Sequence, residues 1–201
     1  SATSASNPKQ SVSPPAATPS TPTLDPQVRA VTRTELGASW HEGCPLHYSH
    51  LRALTVSHYG FDGAIHRGTV IVRDTAVPAF EALFTQALET KFPIRLMQNV
   101  DAYGAVDEAS AEADNTSAFN CRMTTGGSQW SEHSYGTAID INPVENPYHR
   151  SGVMVPTNGK AYLDRRNVRP GMLVSGTPLL TFALAHGWTW LSAFDTQHLQ
   201  R

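Results

Sequence analysis

The sequence predicts an α+β domain, a small and mainly antiparallel sheet flanked by helices, and three observations carry that reading. Two apolar, β-branched runs bracket a turn signal, two later stretches keep helical spacing behind an early proline, and further short strand-like runs follow them. Strands come first, helices are interspersed, and the connections are of hairpin type, which favours antiparallel pairing. No internal repeat is visible.

Residues 1–24 are built from Ser, Ala, Thr and Pro and end in SVSPPAATPSTPT. So little apolar surface cannot offset the entropy of ordering the chain, so this stretch reads as a disordered, semi-extended linker. Such linkers tether exported domains, but a terminus without a role has the same composition. The folded domain, 25–201, is expected to start near Leu24 or Val28. Residues 51–59 (LRALTVSHY) and 68–73 (GTVIVR) read as strands of a hairpin turning at Asp62-Gly63.

Pro78 then sits just inside AVPAFEALFTQALETK, where Phe80, Leu83, Phe84, Ala87 and Leu88 follow helical spacing over about 13 residues. Pro93 ends that helix, and IRLM (94–97) reads as a buried strand. Residues 101–130 read as loop with a short helix around 107–113. TAIDIN (137–142) alternates as a strand, with Ile139 and Ile141 on one face and Ala138 and Asp140 on the other. A second helix is signalled by Thr177 as N-cap, Pro178 at its first position and Gly187 as its stop. WTWL (188–191) closes the series as a strand.

The 201 residues suffice for one domain with a sizeable core. The 15 basic and 17 acidic side chains nearly balance, which argues against a broad cationic face for nucleic acid or an anionic membrane. No apolar run approaches the roughly 20 residues that span a bilayer. The opening SATSASNPKQ lacks a basic region followed by an apolar core, so no signal peptide is expected within this chain. Two cysteines, Cys44 and Cys121, are compatible with one disulfide in an oxidising compartment or with two buried thiols. The Pro-rich tail tips that balance towards the disulfide.

The chemistry concentrates in Ser131-Glu132-His133-Ser134-Tyr135-Gly136-Thr137-Ala138-Ile139-Asp140. A charged Asp between two isoleucines is costly unless something compensates, and a metal is one such compensation. Seven residues along a continuous strand would put His133 and Asp140 on opposite faces, and Gly136 lets the chain turn so that both converge. An Asp capped by backbone amides beside a surface His has the same pattern. The second piece is Asp195-Thr196-Gln197-His198. Residues three apart on a helical turn face one way, so His198 could complete a His-Asp-His set with a fourth position open for water.

Together these pieces resemble the zinc D-alanyl-D-alanine carboxypeptidase and L-alanyl-D-glutamate peptidase superfamily. That group includes the vancomycin-resistance D,D-peptidases and several phage endolysins, and it shares a fold with the Hedgehog signalling domain. Its S-x-H-x-x-G-x-A-x-D pattern is met at Ser131, His133, Gly136, Ala138 and Asp140, and its later D-x-x-H at Asp195 and His198. The likeness extends to NTSAFNCR (115–122) and NPVENPY (142–148), thus over most of 44–200. The actinobacterial-type branch, with Asn120, Cys121 and Arg122 ahead of the histidine motif, is the most similar.

The resemblance implies a Hedgehog/DD-peptidase-like fold and one zinc ion held by His133, Asp140 and His198. It implies Asp195 as general base and Arg122 and Ser131 as substrate-binding residues, since guanidinium grips a carboxylate bidentately. An arginine in a polar loop also commonly makes only a surface salt bridge. Peptidoglycan stem peptides are the implied substrate, cut at the D-Ala-D-Ala or the L-Ala-D-Glu bond by a monomer outside the cytoplasm. The other reading is a non-catalytic, zinc-stabilised wall- or protein-binding domain, against which Asp195 argues. The chain departs from the family in having Leu199 where an aromatic commonly follows the last histidine, and Trp188-Thr189-Trp190 where glycines are frequent.

Several other signals are set aside. His41, Cys44, His47 and His50 recur at three-residue spacing like a second metal site, but Pro45 interrupts any helix that would align them. A disulfide from Cys44 to Cys121 would instead tie this segment to the one bearing Arg122. Ser6-Asn7-Pro8-Lys9 matches S-x-x-K without the strand and helix that motif requires. His66 reads as a hairpin residue and His186 as the end of a helix.

Overall fold

The computed structural model describes residues 1–4, 11–18, 20–124 and 126–201. Part of the tail, including the Ser6–Lys9 run, lies outside the described residues. The tail's other residues up to Ser20 are exposed and carry neither helix nor strand.

The elements run β1 (Gln27–Ala30), α1 (Arg33–Leu36), β2 (Leu51–Tyr59), β3 (Ile65–Arg73), α2 (Val77–Glu89), β4 (Leu96–Met97), α3 (Asp107–Glu112) and β5 (Asn115–Thr116). They continue with β6 (Ala138–Asp140), β7 (Tyr148–Arg150), β8 (Val153–Val155), α4 (Pro178–Ala185), β9 (Thr189–Trp190) and β10 (His198–Gln200). The architecture is α+β, as the sequence predicts. Every strand pair is antiparallel except β4 with β5.

The hairpin β2–β3 is the frame. Its turn is closed where the Asp62 carboxylate accepts from the Ala64 amide at 3.0 Å, with Gly63 left-handed at φ +75°. Side chains alternate between two faces, and both faces are covered. Leu54, Val56, Val70 and Val72 join Phe80, Leu83, Phe84 and Ala87 of α2 in the main core, with Leu179, Leu180 and Ala183 of α4 behind them. Leu51, Ala53 and Ile71 face a smaller cluster holding Leu36, Trp40, Phe119 and Cys121. Cys44 and Cys121 are joined in a disulfide, 77 residues apart in sequence.

A second sheet, β6-β10-β9, carries Ile139 and Leu199 into the main core from its inner face. Leu199 and Trp188 find a structural use here. Leu199 is fully buried, and Trp188 packs edge-on against Phe80 at 5.0 Å. Both fill the core.

Several expected elements are shorter than their apolar runs. The strand within 94–97 is only Leu96–Met97, paired in parallel with β5. The 137–142 strand ends at Asp140, because Asn142 turns left-handed (φ +41°) and spends its amide on Pro93 and Gly171 carbonyls. The 188–191 strand keeps only Thr189–Trp190. Thr177 stands at the cap of α4, but its hydroxyl donates backwards to the Val174 carbonyl at 2.6 Å and caps nothing. The hairpin β7–β8 was not expected. Its turn residues Ser151 and Gly152 are both left-handed, the I′-type geometry that suits a tight hairpin. Among the described residues, no helix is long and apolar enough to cross a membrane.

Candidate active site

The site grows from one short turn and one strand pair. Ser131 caps a 3₁₀ turn, Glu132–Tyr135, by accepting the His133 amide on its hydroxyl. Gly136 ends the turn in the left-handed region at φ +69°. A Cβ at Gly136 would lie 2.7 Å from the Arg73 amide nitrogen, which donates to the Gly136 carbonyl at the end of β3. That reversal lets His133 and Asp140 converge from seven residues apart, as expected.

His198 arrives by strand register. β10 lies between β6 and β9, and His198 stands directly across from Asp140, so their side chains share a face. Asp195 and His198 sit on opposite ends of a turn closed by the His198 amide on the Asp195 carbonyl at 3.4 Å, not on a helix. A β-turn brings its ends together much as one helical turn does, so the two residues still face one cavity.

The distances are short. His133 Nε2 lies 3.1 Å from Asp140 Oδ2, and His198 Nδ1 lies 3.3 Å from Asp140 Oδ1. The two rings stand edge to face with centroids 4.9 Å apart. Each ring is oriented from behind. His133 Nδ1 donates to the Ala118 carbonyl at 2.6 Å, and His198 Nε2 donates to the Gln200 side-chain oxygen at 2.8 Å. In the neutral rings, the nitrogens left facing Asp140 therefore carry lone pairs.

Acceptors thus face acceptors in a nearly closed space. His133 Nε2, Asp140 Oδ1 and Asp195 Oδ1 are buried without a hydrogen-bond partner. Such an arrangement demands positive charge, supplied by protons or by a cation. The titration behaviour says the same. Burial alone would raise Asp140, but the charges and hydrogen bonds of His133 and His198 outweigh it and hold this carboxyl far below the carboxylate range. Burial would lower His198, yet the hydrogen bond its protonated ring would give Asp140, with the nearby carboxylates, pushes it up to about 9. Ligand atoms of His133, Asp140 and His198 all lie within 4.8 Å of one another, a donor set of two imidazoles and a carboxylate that fits a divalent metal.

Asp195 stands apart from that trio. Burial, then the charge of Asp140, raise its carboxyl to about 7. Arg122 and Ser131 line the same cavity of about 250 Å³ as the three ligand candidates and Asp195. Arg122 is clamped through its backbone, its amide donating to Ser134 Oγ at 3.0 Å while that hydroxyl donates to the Arg122 carbonyl at 2.9 Å. Cys44 and Cys121 lie outside this cavity, behind the Arg122 segment.

The structure adds residues that sequence reasoning missed. Asp107, the first residue of α3, lines the cavity 3.6 Å from Arg122 Nη2, and burial raises its carboxyl although Arg122 opposes that. No motif links it to the histidines. Gln200 was legible, since residues i and i+2 of a strand share a face. The hairpin β7–β8 forms a wall: Tyr148 bridges to Asp195, and the Arg150 guanidinium lies 4.5 Å over the Phe194 ring. No curated protein and no solved structure matches the chain. Residues 125–201, the stretch that supplies His133, Asp140, Asp195 and His198, match the model of a family described as D-alanyl-D-alanine carboxypeptidase.

Proposed function

We propose that residues 25–201 form a zinc peptidase that hydrolyses a peptide bond in peptidoglycan stem peptides. The observation that carries this reading is the convergence of His133, Asp140 and His198 beside a bare carboxylate, Asp195, within the stretch similar to carboxypeptidases. In this reading His133 Nε2, His198 Nδ1 and an Asp140 oxygen hold one zinc ion. Zinc supplies Lewis acidity towards a carbonyl oxygen and lowers the pKa of a bound water to about 7.

The chain's own residues do the rest. Asp195 Oδ1 has no partner, so it is free to take a proton from the attacking water and to pass it to the departing amine. Burial raises its pKa, which makes it a stronger base than an exposed carboxylate. Arg122 donates from Nη1 to the Met123 carbonyl at 3.2 Å and keeps a long contact of 3.6 Å from Nη2 to Asp107, which leaves Nη2 for a substrate carboxylate. Ser131 contributes a hydroxyl beside it. The bond cut is the terminal D-Ala-D-Ala link or the L-Ala-D-Glu link. The disulfide and the Pro-rich tail support an extracytoplasmic domain tethered through residues 1–24.

The test is turnover of defined muropeptides by the zinc-loaded wild type and by Asp195→Ala, with products identified by mass. The expected result is cleavage by wild type and a fall of roughly 10²–10⁴-fold in the variant at unchanged zinc content. Wild type that holds one zinc and cleaves none of the peptides overturns the peptidase reading in favour of a binding domain.

A further inference from the structure

A second group of ligand-type atoms lies on the far side of the Arg122 segment. His41, Cys44 and Cys121 place one ligand atom each within 4.8 Å of the others. His41 Nε2 is 3.8 Å from Cys121 Sγ, and the His41 amide points at Cys44 Sγ at 3.4 Å. The other histidines of the three-residue spacing have turned away. His47 Nδ1 is engaged with Ser49 Oγ at 2.9 Å, and His50 Nδ1 with Asp74 at 3.3 Å.

The orientation of His41 is informative. Its Nδ1 lies 2.9 Å from the Glu42 carbonyl, which can only accept, so Nδ1 carries the hydrogen. In the neutral ring, Nε2 then presents a lone pair, not a hydrogen, towards the sulfurs. This is the arrangement of a metal-binding histidine, with one nitrogen held by a backbone carbonyl and the other free. A disulfide has no use for it. Two thiolates do.

We infer that His41, Cys44 and Cys121 form a second, sulfur-rich zinc site that the disulfide keeps closed and reduction opens. A dithiol reductant gives two electrons and two protons to the Cys44–Cys121 bond and becomes a disulfide itself, leaving two thiols. Zinc binding then releases both thiol protons to solvent and joins two thiolates and one imidazole, with a fourth position for water. Cys44 is the partly exposed residue and Cys121 the buried one, so reductant and metal both enter from the Cys44 side. Because the Cys121 amide also donates to the Ser39 carbonyl at 3.0 Å, the segment preceding Arg122 keeps its place while the cross-link changes from sulfur–sulfur to sulfur–metal–sulfur.

The experiment uses the full zinc-loaded chain, oxidised or reduced with a dithiol and desalted without oxygen, titrated with Co²⁺. The reduced protein is expected to take one further equivalent with a thiolate-to-cobalt charge-transfer band, which Zn²⁺ displaces. The oxidised protein shows no such band. The band is specific to sulfur ligands, so it reads this site independently of His133, Asp140 and His198. His41→Ala should weaken the reduced site by more than the roughly 10–100-fold that losing an outer-shell partner costs. Absence of the band in reduced protein that keeps its near-ultraviolet circular dichroism overturns the inference. So does a band of equal affinity in His41→Ala, or a reduced chain whose lost dichroism zinc does not restore.

Discussion

Asp195 and Gly136 show how much one residue decides here. Asp195 acts as base only when ionised, so protonation switches the proposed activity off. Its carboxyl stands at about 7 because of burial and the neighbouring Asp140, and a bound cation draws it down towards ordinary carboxylate values. The acid limb of kcat/KM in the zinc enzyme is therefore expected between pH 4 and about 7, with activity lost as pH falls. A pH–rate profile measures it, and a limb that persists in residual Asp195→Asn activity would assign it to another group. Gly136→Ala combines a left-handed backbone with a Cβ driven into the Arg73 amide. The expected loss is about 1–3 kcal/mol in urea denaturation. His133 and Asp140 alone were not legible as a site, since a capped Asp beside a surface His has the same pattern; His198, with Asp195 three residues earlier, made them so. Asp107 was not legible, since only the folded chain brings α3 to Arg122.

At the scale of elements, long apolar runs were legible and short ones were not. α2 occupies the 13 residues Val77–Glu89, because a proline start and five core-facing residues agree on one answer. β7, β8 and β10 have three residues each, too few for periodicity to speak, and their pairing comes from turns and tertiary contact. In the turn after β6, Glu145 faces the carboxyl of Asp114, which precedes β5. Glu145 is buried with Oε1 unpartnered, and burial, then Asp114, push its carboxyl up to about 9. A folded-state value raised above the unfolded one favours the protonated fold. Its stabilisation is complete below about pH 4.5 and is lost as pH rises through about 9. Glu145→Gln stays neutral throughout, so thermal melts from pH 5 to 9 should slope less in the variant than in wild type. Parallel slopes would show that Glu145 does not govern this range.

Across the whole molecule, the disulfide and the proposed zinc would join distant segments by different chemistry. The disulfide closes a loop over 77 positions of sequence, and Cys44→Ser with Cys121→Ser is expected to cost about 2–4 kcal/mol of stability. Calorimetry of the double variant checks this, and an unchanged melting temperature would mean that the small core around Trp40 and Phe119 suffices. The proposed zinc acts through mass action instead. Free zinc at 100 times its dissociation constant should add about 2.7 kcal/mol, which chelation removes together with activity and stoichiometric zinc restores. Overall class and the single hairpin frame were legible, because they follow from hydrophobic pattern. The packing of two small sheets against that frame was not, because it depends on which short strands find each other.

That last point bears on β10. Three residue pairs to β6 and two to β9 are a weak specification of alignment. Yet a slip of one residue would turn His198 inward and Leu199 outward. The misaligned sheet would offer an ion two ligands instead of three, and the ion would desert it. Metal capture would thus proofread the strand alignment, rewarding one registration out of several near neighbours. Hydrogen exchange at the Leu199 amide should slow sharply on zinc addition and little at Val56, deep in the hairpin, where alignment is already settled by nine paired residues.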